Sequence, residues 1–156
     1  MALVVSGCAL AEQSRSIRAS TQRRAVPECQ HERVRPTVLV VDDHADFRAS
    51  VRDLLQTGGW EVVADVGDSS GAMSAVHRLR PQVVLLDICL AADDPGGDGI
   101  DLAHALAELP ESPSVVLVSA RSATTFGDRL AHAPVSGFVP KSQLTSDALT
   151  LLVGRG

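Results

Sequence analysis

The chain has 156 residues, 45% of them hydrophobic, and a formal net charge of −5. That length suits one domain with a single core, burying about two-thirds of its unfolded surface. The charge is split: residues 1–36 hold six Arg against three Glu, whereas residues 37–156 hold eight Lys and Arg against sixteen Asp and Glu. An acidic folded part argues against direct nucleic-acid binding, which needs clustered cations on phosphates, and suits metal cations or partners with basic surface.

Residues 1–36 carry no sustained hydrophobic period and include an Arg/Ser/Gln-rich stretch over 12–24. They read as a flexible tail ahead of a folded domain over 37–154. Val5-Ser-Gly-Cys8 has only four residues before it, without a basic start or an adequate apolar stretch, so it is not an export signal. No apolar run approaches the ~18–20 residues that span a bilayer, so no membrane association is expected. The cysteines at 8, 29 and 89 have neither metal-ligand spacing nor an even framework, and read as reduced thiols of a cytoplasmic protein.

From Thr37 the sequence alternates strand and helix five times. Thr37-Val-Leu-Val-Val41 is a first strand. A helix over 45–57 follows, with Phe47, Val51, Leu54 and Leu55 at i, i+4, i+7 and i+8, and Gly58-Gly59 stops it. A strand over 61–66 leads to a helix capped by Asp68 or Ser69, carrying Ala72, Ala75, Val76 and Leu79 and ending before Pro81. Residues 82–86 and 114–118 are apolar on both faces, as strands in the middle of a helix-covered sheet must be. Between them lies a helix over 100–109. A weaker helical segment over 122–133, a short strand over 135–139 and a closing helix with Leu144, Ala148, Leu151 and Leu152 in one stripe complete the chain. Phe47, Trp60, Phe126 and Phe138 are the aromatic residues, so the core must be built of Val, Leu and Ala.

Polar residues follow four of the strands: Asp42 and Asp43 the first, Asp87 the third, Ser119 the fourth and Lys141 the fifth. In one parallel sheet all five emerge at the carboxyl edge, where open α/β sheets bind ligands. Taken singly, each has an ordinary reading: helix caps for the acids, a turn former for Ser119, a solvated loop residue for Lys141. The ordered set is what points to a site. Three hard oxygen donors suit Mg²⁺, and a carboxylate beside an ammonium and a hydroxyl suits phosphoryl acceptance.

The segments VVDDH at 40–44, LLDICL at 85–90, LVSA at 117–120 and GFVPKSQL at 137–144 resemble the receiver domain of two-component response regulators, over roughly 37–153. The resemblance implies a five-stranded parallel doubly wound sheet of flavodoxin-like order 2-1-3-4-5, an order that the handedness rules do not select by themselves. It implies that Asp87 accepts a phosphoryl group from a sensor histidine kinase. Mg²⁺ would be held by Asp42, Asp43, Asp87 and the backbone carbonyl of Cys89, with Asp43 the direct ligand of the pair. Lys141 would contact a phosphate oxygen, Ser119 another, and Ala120 would leave the approach open. Ser119 and Phe138 would form the switch. His44 reads as a helix-start residue near the site mouth rather than a phosphodonor or metal ligand.

Two departures stand out. The segment 91–99, Ala-Ala-Asp-Asp-Pro-Gly-Gly-Asp-Gly, is longer than the family's usual turn and reads as a surface insertion, though Asp93, Asp94 or Asp98 near the metal is a sharper alternative. The stretch after Lys141 looks like regulators that continue into a helix-turn-helix domain, yet the sequence stops at Gly156, so output is expected through protein contacts. A downstream target or a homodimer would use the face of the fourth helix, fifth strand and fifth helix. The alternatives are a phosphorylation-independent interaction module and a transcriptional regulator truncated of its output domain. A stand-alone enzyme such as an aspartyl-phosphate hydrolase is not expected, since Cys89 stands where such phosphatases carry a second acid.

Overall fold

The computed structural model describes residues 34–91 and 97–154. The expected tail, except for its last three residues, and Asp93 and Asp94 of the inserted loop lie outside the described residues.

In chain order the elements are β1 (Thr37–Val41), α1 (Ala45–Thr57), β2 (Glu61–Val66), α2 (Ser69–Leu79), β3 (Val83–Asp87), α3 (Gly99–Ala107), β4 (Ser114–Ser119), α4 (Gly127–Ala131), β5 (Gly137–Pro140) and α5 (Ser146–Val153). Single 3₁₀ turns at Ala123–Thr125 and Lys141–Gln143 precede α4 and α5. The five strands are parallel and ordered β2-β1-β3-β4-β5, the flavodoxin-like arrangement.

Period-two alternation sends the strands' side chains to opposite faces of the sheet. Leu39, Val41, Val84, Leu86, Val115 and Leu117 pack with α2 and α3. Val38, Val40, Val83, Leu85, Val116 and Val118 pack with Val51 and Leu55 of α1 and Leu149 of α5. β1 and β3 are central and buried nearly throughout, which accounts for their unbroken apolar runs. Each fully buried Val or Leu contributes about 1.5–3 kcal/mol, so these two strands anchor the edge on which the acids sit.

Several elements differ from the sequence expectation. Asp87 is the last residue of β3, paired with Val118, rather than the first residue after the strand. The helix expected over 122–133 is a 3₁₀ turn followed by the short α4, whose first residue, Gly127, has φ of 50°. β5 begins at Gly137, because Val135 bonds back to Ala133 in a turn. The α1 stop is shared: Gly58 keeps a negative φ, and Gly59 takes the left-handed conformation at 89°.

The closing-helix stripe also shifts. Leu144 is extended and precedes α5, whose N-cap Thr145 accepts from Ala148 N. The helical register therefore counts from Ser146, and it buries Leu149 while leaving Leu151 63% exposed.

Candidate functional site

The parallel ladder delivers the acids to one edge. Asp42 N donates to Val66 O at 3.0 Å and Ile88 N to Val118 O at 2.9 Å, so the chain stays in sheet register right up to both acids. Asp42, Asp87 and Ser119 are buried. One carboxylate oxygen from each of Asp42, Asp43 and Asp87, with one His44 ring nitrogen, all lie within 4.8 Å of one another.

Lys141, supplied by the turn after β5, closes the cluster. Its Nζ donates to Asp87 Oδ2 at 2.8 Å and lies 2.5 Å from Asp42 Oδ2. That Asp42 oxygen is fully buried and accepts no aligned hydrogen bond, so its contact with the ammonium is ionic only. The other Asp87 oxygen accepts from Cys89 N at 3.0 Å, which folds the turn carrying the Cys89 carbonyl back on the acid. One ammonium thus contacts two carboxylates, with a third, that of Asp43, beside them. Two unit charges 4 Å apart repel by about 4 kcal/mol at an effective dielectric constant of 20, so the excess acid calls for a cation.

Burial pushes the Asp87 carboxyl above its ordinary value, and the neighbouring Asp42 charge adds to this; the Lys141 and Cys89 hydrogen bonds pull the other way and do not fully offset it. For Lys141, burial favours the neutral amine, yet the close contacts with the Asp42 and Asp87 carboxylates outweigh it and hold the ammonium above its usual range. The lysine stays charged at neutral pH. The set of hard oxygen donors, one buried and unaligned, fits a small divalent cation.

The remaining sequence-singled residues are placed as follows. Ser119 Oγ accepts from Arg121 N at 3.1 Å and lies 3.7 Å from Cys89 Sγ, so β4 and the β3 turn meet beside Asp87. Ala120 is exposed at the rim. Phe138, part-buried, lies 6.4 Å from the Phe126 ring at 58° and directly opposite Leu117. His44 is the N-cap residue of α1 but makes no side-chain cap bond; its Nδ1 lies 2.6 Å from Asp43 Oδ1 and 3.3 Å from Asp42 Oδ1. Asp98 is committed elsewhere: it caps α3 in a reciprocal box with Asp101, and Arg129 of α4 forks onto it at 2.7 and 3.0 Å.

Four further residues shape the site without having been singled out for it. Phe47, read only as part of an apolar stripe, places its ring centroid 4.3 Å from Lys141 Nζ, a cation–π contact. Arg48 donates to the Asp42 carbonyl at 2.5 Å and to Asp65 at 3.2 Å, and Arg52 joins it on Asp65. The available signal was the i, i+4 spacing of the two arginines. Gly99 opens α3 against the back of the acceptor: a Cβ there would fall 2.1 Å from the Asp87 carbonyl oxygen.

A doubly wound parallel sheet with buried acids, a hydroxyl and an ammonium gathered at its carboxyl edge defines a receiver-type signalling module. The chain belongs to the response regulator receiver domain family, whose model matches residues 38–153. Its relatives include the DNA-binding transcriptional activator EvgA of Escherichia coli K12, 30% identical over 105 residues covering 67% of this chain and 50% of EvgA. The nitrate/nitrite response regulator protein NarP of the same organism is 32% identical over 105 residues, covering 67% of this chain and 47% of NarP. The signal receiver domain of the response regulator NarL from Mycobacterium tuberculosis superposes with a TM-score of 0.67 at 27% identity, covering 77% of this chain and 97% of that domain. The chain spans about half the length of these curated relatives. Among the described residues no helix is long and apolar enough to cross a membrane.

Proposed function

We propose that this chain is a phosphoacceptor of a two-component system, taking a phosphoryl group from the phosphohistidine of a sensor histidine kinase onto Asp87. The observation that carries this reading is the buried Asp87 carboxylate held between the Lys141 ammonium at 2.8 Å and the Cys89 amide at 3.0 Å, beside the acid pair. An Asp87 oxygen attacks phosphorus, the P–N bond breaks with its electron pair going to the donor imidazole, and an acyl phosphate forms. Catalysis is then positioning and charge neutralisation, not turnover by a stand-alone enzyme.

Asp42, Asp43, Asp87 and the Cys89 carbonyl would hold Mg²⁺, which when bound supplies the positive charge that three phosphate oxygens require. Lys141 orients Asp87 before transfer and offers its ammonium to a phosphate oxygen afterwards, while Phe47 limits where that ammonium can go. Ser119 donates its hydroxyl to a second oxygen, and the exposed Ala120 keeps the entrance clear. Ser119 and Phe138 then bias a two-state equilibrium that is read on the face of α4, β5 and α5 by a protein target or a second copy. The chain acts in the cytoplasm.

The test is labelling by acetyl phosphate in Mg²⁺. Wild type incorporates phosphate at Asp87 and Asp87→Asn does not; equal labelling of both refutes the assignment. Magnesium-dependent binding of beryllofluoride, a phosphoryl mimic, distinguishes this reading from a phosphorylation-independent interaction module, which would ignore it.

A further inference from the structure

Resting on the reading that the acid cluster holds a divalent cation, we propose that His44 Nδ1 is a fourth side-chain donor at that site, so the pocket favours first-row transition cations over Mg²⁺ more than carboxylates alone would. The position of the ring is the first ground. Adjacent donors on an octahedral ion with bonds of about 2.1 Å are about 3 Å apart, and opposite donors about 4.2 Å apart. His44 Nδ1 lies 2.6 Å from Asp43 Oδ1 and 3.3 Å from Asp42 Oδ1. It also falls within the 4.8 Å set that includes Asp87. Small shifts bring all four atoms to one ion.

The second ground is that the ring serves no capping role and its partners, among the described residues, are the acids of the cluster itself. His44 stands at the N-cap of α1, but its side chain makes no capping bond. Its backbone N–H donates to Asp42 Oδ1 at 2.8 Å, which fixes the residue at the lip of the cluster, while the imidazole itself is 69% exposed and turns inward to the acids. The third ground is chemical. Mg²⁺ prefers oxygen and gains little from a nitrogen donor, whereas imidazole suits Co²⁺, Ni²⁺ and Zn²⁺. A competing arrangement has the ring only hydrogen-bonded to Asp43; an incoming ion would then displace it, and removing it would strengthen binding of every divalent ion alike.

Calorimetric titration of the full chain with Co²⁺ and with Mg²⁺ separates these cases. In His44→Ala and His44→Gln the ratio of Co²⁺ to Mg²⁺ affinity falls about tenfold, the scale expected when one shaping group of a metal site is lost. The Co²⁺-loaded wild type also shows a paramagnetically shifted, exchangeable imidazole N–H resonance that excess Mg²⁺ abolishes. That spectrum decides the matter even if a variant misfolds. An unchanged ratio, a parallel rise for both ions, or no shifted N–H resonance overturns the role of His44 while leaving Mg²⁺ binding intact. Failure of the wild type to bind either ion overturns the cation site and this inference together.

Discussion

Asp42 and Asp87 are buried acids that share one ammonium, and this imbalance governs what single substitutions do. A carboxyl whose folded pKa is raised, as burial raises that of Asp87, penalises the native state wherever it is ionised. The penalty grows as pH rises from the ordinary carboxylate value and is complete once the pH passes the raised one. Asp87→Asn removes it. Asp87→Asn should therefore unfold at a higher temperature than wild type at pH 7 in EDTA, by a few degrees. Lys141→Met has the opposite sign, because it leaves the carboxylates at Asp42 and Asp87 without their counter-charge. Removing one partner of a buried pair costs about 3 kcal/mol, so its Tm falls in EDTA, and saturating Mg²⁺ restores part of the loss. Calorimetric melts of both variants with and without Mg²⁺ check this. A stabilised Lys141→Met, or a destabilised Asp87→Asn, would contradict the charge imbalance.

Helix α1 works on the site from the side, through a brace tying it to β2. Arg48 and Arg52 both reach Asp65, and Arg48 also holds the Asp42 carbonyl, so one helix face sets the loop bearing the acid pair. The hydrogen bond from Arg52, with help from Arg48, holds the Asp65 carboxyl below its ordinary range against a smaller effect of burial. A depressed carboxylate stabilises the fold above its unfolded value of 3.8, and that contribution is lost as pH falls through the folded value. Asp65→Asn should thus cost up to about 1 kcal/mol at pH 7 and progressively less below pH 4. Urea unfolding at pH 7, 5 and 3 measures the difference; a gap that widens toward acid would refute the brace. The same element shows what sequence could and could not disclose. Val51 and Leu55 followed from the 3.6 period, as the strand order followed from the resemblance. The Arg48–Asp65 brace and the Phe47–Lys141 contact did not, because they join distant segments whose pairing has no local signature. Gly99 was hidden for a similar reason: its close approach to the Asp87 carbonyl exists only once α3 is folded against β3. The α5 register failed for a local reason, since an extended Leu144 mimics a helical position four residues before Ala148.

Over the whole molecule, the site and the proposed output face are joined by two adjacent strands. In the β4–β5 register Ser119 faces Pro140 and Leu117 faces Phe138, so the proposed switch hydroxyl and switch aromatic lie two residue pairs apart on neighbouring strands. Phe138 touches Phe126, at the foot of α4, and lines a groove of about 290 Å³ between β5 and α5 with Val139, Gln143 and Leu151. A displacement of Ser119 toward a phosphoryl group therefore has a short packed route to an apolar surface at the sheet edge. Leu151 is the exposed apolar residue on that surface, and it lies far enough from the acids along α5 to be altered without touching them. Leu151→Asp should be labelled on Asp87 by acetyl phosphate as wild type is, because its charge sits on solvent-facing helix. On the proposed function, wild type associates with a second copy or a target protein in beryllofluoride, and Leu151→Asp should not. To move a two-state protein from 1:99 to 99:1 the phosphoryl group must favour the active state about 10⁴-fold, and a charge in the contact surface removes the reward for reaching it without altering that bias. Sedimentation velocity with and without beryllofluoride reads the outcome for self-association. Persistence of the induced association in Leu151→Asp would move the output face elsewhere on the domain.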